Sequence, residues 1–142
     1  MSIKKNKPNN NNKLLIITLA AVAVIVAAAF TFLPQTDSLP ATITVQQANE
    51  QFANGAYLLD VREPIEWNEA HVDGAVLIPL GELSARVDEI PTDKDVLIIC
   101  RSGNRSAEAR NLLRAAGLNR TTSINGGINA WISAGLPVVS GP

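Results

Sequence analysis

At 142 residues, 46% hydrophobic and 18% charged, the chain is too apolar to be disordered and long enough for one domain with a targeting piece attached. Its formal net charge of −1 hides an asymmetry: Lys4, Lys5, Lys7 and Lys13 carry all the charge of the first 13 positions, and beyond them 8 Lys and Arg face 13 Asp and Glu, a net of −5. A body that acidic is excluded from binding nucleic acid through its bulk field, and a single cysteine excludes an internal disulfide.

In chain order, residues 1–13 read as a basic, Asn-rich cytoplasmic tail. Residues 14–33, LLIITLAAVAVIVAAAFTFL, contain no charge, Pro, Gly, Asn or Gln. As a helix rising about 1.5 Å per residue they would span roughly 30 Å, the hydrocarbon thickness of a bilayer. Lysines crowd the amino side and no Lys or Arg follows until Arg62, so the positive-inside bias puts the N-terminus in the cytoplasm and the remainder on the extracytoplasmic side. A cleaved signal peptide is the rival reading, with Ala27–Ala29 as the small-residue site and a secreted product. The apolar run continues through Phe30–Leu33, past the usual length of a signal core, and this favours an uncleaved anchor.

Residues 34–41 read as a linker and 42–142 as the domain. Thr44 is the expected N-cap of a helix through Val45, Ala48 and Phe52, ended by Asn54 and Gly55. Tyr57–Val61 reads as a strand, Arg62–Ala70 as a charged segment with a short helix around Trp67, and Gly74–Pro79 as another strand. Leu80–Ile90 has helical spacing, with Leu83, Val87 and Ile90 on one face. Val96–Ile99 is uninterrupted by polar residues, as expected of a strand buried on both faces, and it delivers Cys100 to a polar loop. A helix bearing Ala107, Ala109, Leu112, Leu113 and Ala116 follows, with Gly117 as its C′ residue. A strand at Thr121–Ile124, a turn at Gly126 and Gly127, and a helix at Ile128–Ala134 carrying Trp131 complete the chain. Strands alternating with helices predict a three-layer α/β domain around a parallel sheet.

The loop after Cys100 carries the chemistry. If its backbone amides turn inward, they join the positive end of the next helix and the guanidiniums of Arg101 and Arg105 in favouring thiolate over thiol. Gly103 supplies a tight turn, and Ser102 or Asn104 is the expected helix cap. An inert core cysteine is the bland reading, and it leaves the glycine and two arginines that follow without a reason.

The segment CRSGNRS, Cys100–Ser106, resembles the active-site loop of rhodanese-type sulfurtransferases. LLDVREPIEW at Leu58–Trp67, AHVDGAVLIPLGEL at Ala70–Leu83 and NGGINAWISAGLPV at Asn125–Val138 resemble that family's other landmarks in the same order, so the likeness covers roughly Ile43–Val139. It implies a central parallel sheet flanked by helices, with Cys100 as nucleophile. Sulfane sulfur would pass from thiosulfate, or a related small anion or persulfide donor, to cyanide or a thiol acceptor through a Cys100 persulfide. By motif position Arg101, Ser102, Gly103, Asn104, Arg105 and Ser106 form the anion cradle. Cysteine-dependent phosphatases of similar fold carry one residue more between Cys and Arg and a His before the cysteine. Here four residues intervene and Ile99 precedes, so phosphatase and arsenate reductase chemistry rank below sulfur transfer. The alternative function is a low-turnover persulfide carrier or a rhodanese-fold binding and sensing module.

Other polar residues read as scaffold. Asp60 is a possible accessory at the pocket or a cap for the next turn, and Arg62 is expected to pair with Glu66 or Glu63. His71, the only histidine, corresponds to a structural position, although Ala70 and Asp73 replace the glycine and proline usual in the family. Neither a metal nor another cofactor is expected.

Overall fold

The computed structural model describes residues 16, 17 and 38–142. The basic tail, the proposed membrane segment apart from Ile16 and Ile17, and the start of the linker lie outside the described residues. Among the described residues no helix is long and apolar enough to cross a membrane. Met1–Thr36 and Asp37–Pro142 form separate units, and the second holds the sheet and Cys100.

The elements of this second unit are β1 (Thr42–Ile43), α1 (Val45–Ala53), β2 (Tyr57–Asp60), α2 (Pro64–Glu69), β3 (Val76–Leu77), α3 (Leu80–Leu83), a 3₁₀ turn (Val87–Glu89), β4 (Val96–Ile99), α4 (Asn104–Ala115), β5 (Thr121–Ile124) and α5 (Gly127–Ser133). The sheet has the order β1-β5-β4-β2-β3 and every pairing is parallel. β4 is central, with Ile99 opposite Asp60 of β2 and Ile98 opposite Ser123 of β5. Cys100 thus leaves the carboxyl edge of the middle strand, where ligands gather in open α/β sheets.

Alternation along the strands sorts the core into two layers. Leu58, Leu97, Ile99 and Ile124 face α1 and α5, packing with Val45, Ala48, Ile128 and Trp131. Leu59, Val96, Ile98 and Cys100 face the other side, with Leu83 of α3 and Ala109 and Leu113 of α4. Trp131 is fully buried and its Nε1 donates to the Pro137 carbonyl at 3.1 Å. Burying roughly 200 Å² of such a ring contributes about 5 kcal/mol before entropy is counted.

The expected cap is present: Thr44 Oγ1 accepts from the Gln47 amide while Gln47 Oε1 accepts from the Thr44 amide, a capping box. Gly117, at φ +96°, follows the end of α4 as read from sequence. Two readings change, and one element is added. The strand expected over Gly74–Pro79 pairs only at Val76–Leu77; Ile78 still donates to the Asp60 carbonyl at 2.9 Å, but Pro79 has no N–H to continue the ladder. The helix expected over Leu80–Ile90 is broken into α3 and the 3₁₀ turn, with Arg86 at the junction. Gly81 and Ser84 are weak helix formers, and the sheet buries Leu83 and Ile90 through two separate turns that Arg86 ties together by pairing with Glu82 and Glu89. β1, two residues long, was too short to announce itself by periodicity.

Candidate active site

The loop is laid from β4 to α4 so that its carbonyls face outward. The Ile128 amide donates to the Cys100 carbonyl at 2.7 Å and the Asn129 amide to the Arg101 carbonyl at 3.2 Å. These first-turn donors of α5 are used up on the loop, and the loop's own amides are left to face the sulfur. Gly127, at φ +56°, sits so close under the Cys100 and Arg101 backbone that a Cβ there would overlap it. Gly103, at φ +107°, is the cap residue of α4, and a Cβ there would lie 3.3 Å from the Gly126 nitrogen.

Neither Ser102 nor Asn104 caps α4, contrary to the sequence expectation: Gly103 holds that position with no side chain to offer. Its amide donates instead to Cys100 Sγ at 3.1 Å. Ser106, buried in the first turn, brings Oγ to 3.5 Å from the sulfur, 2.7 Å from Ser123 Oγ and 3.0 Å from the Gly103 carbonyl. A serine hydroxyl has one proton and two lone pairs. In the thiol form S–H donates to Ser106 Oγ, which in turn donates a hydrogen bond to the Gly103 carbonyl. In the thiolate form that proton can rotate to the sulfur, with Ser123 donating from behind. Burial pushes the Cys100 thiol up, but the Ser106 hydroxyl and the amides of Ser106, Gly103 and Ser102 outweigh it, so the thiol is held below its ordinary value.

The arginines divide. Arg101 is exposed and lines a small cleft, about 110 Å³, with Glu66, Glu69 and Ile132. Arg105 makes a bidentate pair with Glu66 of α2, both bonds 2.7 Å. That pairing, together with the amide of Glu63, brings the Glu66 carboxyl from 4.5 to about 2 and raises Arg105. Arg105 also feels the charge of Cys100, so the pair stands within electrostatic reach of the sulfur.

Asp60 is fully buried and both its oxygens are taken by Arg62, with the shortest contact 2.6 Å. In place of the expected Glu66 or Glu63 side chain, the carboxylate partner of Arg62 is Asp60, and Arg62 reaches α2 through the Glu66 and Ala70 carbonyls at 3.3 and 2.8 Å. This buried pair fastens α2 to β2 and thereby sets where Glu66 meets Arg105. His71 stacks on Trp67 at 3.7 Å with Nδ1 3.0 Å from the Trp67 carbonyl, a packed position away from the sulfur's hydrogen-bond partners. Among the described residues no three His, Cys, Asp or Glu are grouped to hold a metal. A larger cleft, about 330 Å³, opens at the opposite end of the sheet, near Val96 and Thr121, and its lining includes no cysteine.

Two contributors were missed from sequence. Ser123 supports the Ser106 hydroxyl, and its signal was a strand with three hydroxyl residues in a row, each needing a partner once buried. Glu66 meets Arg105 from 39 positions away, a pairing no local spacing reveals.

Known proteins similar to this chain include sulfur-handling ones. A sulfurtransferase of Allochromatium vinosum is 41% identical over 83 residues, covering 58% of this chain and 78% of that one. A putative sulfur carrier protein, YrkF, of Bacillus subtilis is 38% identical over 74 residues, and the match spans only 40% of its length. The crystal structure of a rhodanese-related protein from Thermoplasma volcanium superposes with a TM-score of 0.66 at 36% identity, covering 70% of this chain and 98% of that one. With residues 44–134 matching the Rhodanese-like domain family, and the loop, sheet order and cysteine in the places just described, the chain belongs to that family.

Proposed function

We propose that this chain is a sulfurtransferase that carries sulfane sulfur on Cys100. The observation that supports it most directly is the sulfur's seat: Sγ faces the Gly103 amide at 3.1 Å and a two-serine hydroxyl relay, which together favour the thiolate. With thiosulfate, the thiolate attacks the outer sulfur, the S–S bond breaks, and sulfite departs with the electron pair. The negative charge passes to the new terminal sulfur, which the loop amides are placed to receive. Cyanide then attacks that sulfur and leaves as thiocyanate, returning the thiolate; a thiolate acceptor leaves as a persulfide by the same displacement. Arg101, exposed beside the loop, draws the anionic donor in.

A persulfide carrier of low turnover is the second reading, favoured by one feature: Arg105 is committed to Glu66 rather than open to a substrate anion. Rhodanese-fold sensing without turnover belongs to the same alternative. We place the domain on the extracytoplasmic side of a membrane through residues 14–33, on the strength of the lysine asymmetry and the apolar run.

Intact mass of the full chain after exposure to thiosulfate should show one added sulfur, absent in Cys100→Ser. Cyanide should then discharge it as thiocyanate over many turnovers. Loading without repeated discharge selects the carrier, and no loading from any sulfane donor rejects both. A reporter fused after Pro142 that works only in the cytoplasm would overturn the topology.

A further inference from the structure

The charges around the Cys100 loop and the cleft that Arg101 lines nearly cancel. Arg62 is matched by Asp60 and Arg105 by Glu66. Glu69 adds a negative charge to the cleft, and Arg101 is the cation that lines it without a carboxylate partner among the described residues. A small dianion approaching the sulfur therefore meets amide dipoles and one exposed guanidinium, with the second guanidinium already neutralised.

Glu66 is not a passing rim carboxylate. Both its oxygens bond Arg105, Oε2 also accepts from the Glu63 amide at 3.1 Å, and its own carbonyl accepts from Arg62. Its side chain is 18% exposed, so its field is less screened than that of a free surface acid. The loop motif implies Arg105 as a donor-binding cation; in the structure that cation has an internal counter-ion built in.

Resting on the sulfur-transfer reading, we infer that Glu66 is a positioning residue that filters donors by charge: by holding Arg105 in a bidentate pair at the rim of the Cys100 site, it sets the site against doubly charged sulfur donors relative to singly charged ones. Thiosulfate and methanethiosulfonate make a matched pair of probes. In each the Cys100 thiolate attacks the terminal sulfur and the S–S bond breaks. The leaving group is sulfite in one case and methanesulfinate in the other, so the bond chemistry is the same and the donor charge differs by one.

The test is the ratio of kcat/KM for thiosulfate to that for methanethiosulfonate, with cyanide as acceptor, in full-length wild type, Glu66→Gln, Glu66→Ala and Glu69→Gln. Glutamine keeps an acceptor for the Glu63 amide, so the start of α2 survives, and alanine is the strongest helix former should glutamine pack badly. Removing a unit charge and releasing Arg105 should raise the ratio by roughly fivefold or more in both Glu66 variants, through KM rather than kcat. Glu69→Gln, which deletes a charge from the same cleft without releasing Arg105, should move it by less than half as much. A merely structural role for Glu66 would lower both donors together. A ratio that stays within about twofold in whichever Glu66 variant folds, while wild type uses both donors, overturns the charge filter and leaves sulfur transfer standing. A wild type loaded by neither donor overturns both.

Discussion

Ser106→Ala removes one oxygen from beside Cys100 Sγ and tests the hydroxyl relay directly. Ser106 Oγ stands 3.5 Å from Cys100 Sγ, and the Gly103 amide stands at 3.1 Å. A hydrogen bond to a charged group contributes about 1.5–3 kcal/mol, which corresponds to roughly one to two pKa units; the length of the Ser106 contact places it at the lower end, about one unit. The thiol should therefore rise by about one unit, with the amides still favouring the thiolate. The rate of Cys100 alkylation by iodoacetamide follows the thiolate fraction, so the variant's curve should shift to higher pH by that amount. The substitution also strands Ser123 Oγ, which is buried, at a cost of about 1–3 kcal/mol. The double variant Ser106→Ala with Ser123→Ala removes both hydroxyls and leaves no orphan, and the Gly103 carbonyl keeps its bond from the Ala107 amide. It should recover most of the stability and retain the raised thiol. Alkylation curves that coincide with wild type to within about 0.2 unit in both variants would refute the relay, whatever the stability did.

Gly127→Ala would drive a methyl into the Cys100 and Arg101 backbone at a positive φ, and should cost about 2–3 kcal/mol in urea unfolding and raise the thiol as the loop amides are displaced. Asp60→Asn leaves Arg62 charged and buried, and a loss of about 3–5 kcal/mol is expected by the same measurement. The Glu66 carboxyl is lowered in the fold from 4.5 to about 2, so its pairing with Arg105 stabilises fully above the unfolded value and is lost as pH falls through the folded one. The stability difference between wild type and Glu66→Gln should accordingly hold constant from neutral pH down to about 5 and shrink between about 4.5 and 2. A difference that vanished nearer pH 6 would put the titration on another group.

How much of this was legible before folding depended on range. The apolar run Val96–Ile99, the Thr44 N-cap and Gly117 are local signals, and each element appeared where its residues pointed. The split of Leu80–Ile90 was not legible, because helical spacing there reflected two separate demands for burial on the sheet. Within the site, the position of Cys100 at the end of β4 followed from pattern. The partner of Arg105 did not, since it meets Glu66 only when the chain has brought α2 against α4; Arg62 had three carboxylates within four residues, and spacing alone did not choose Asp60 among them. The capping role given to Ser102 or Asn104 failed for a related reason: a local rule for helix starts assumes that the first amides need a side chain, and here they have a sulfur.

That substitution links the stability of α4 to the reactivity of Cys100. A helix start capped by glycine forfeits about a few tenths of a kcal/mol relative to a serine or aspartate cap. A serine or aspartate at position 103 would fill the gap, yet φ of +107° there resists a Cβ, and any side-chain oxygen it offered would compete with the sulfur for the same amides. The uncapped donors at Gly103 and Ser106 instead find a stronger acceptor whenever the thiol ionises. Ionisation thus completes the helix start and prepares the nucleophile in one event. The carbonyls that would oppose the thiolate are turned away because α5 bonds them from outside.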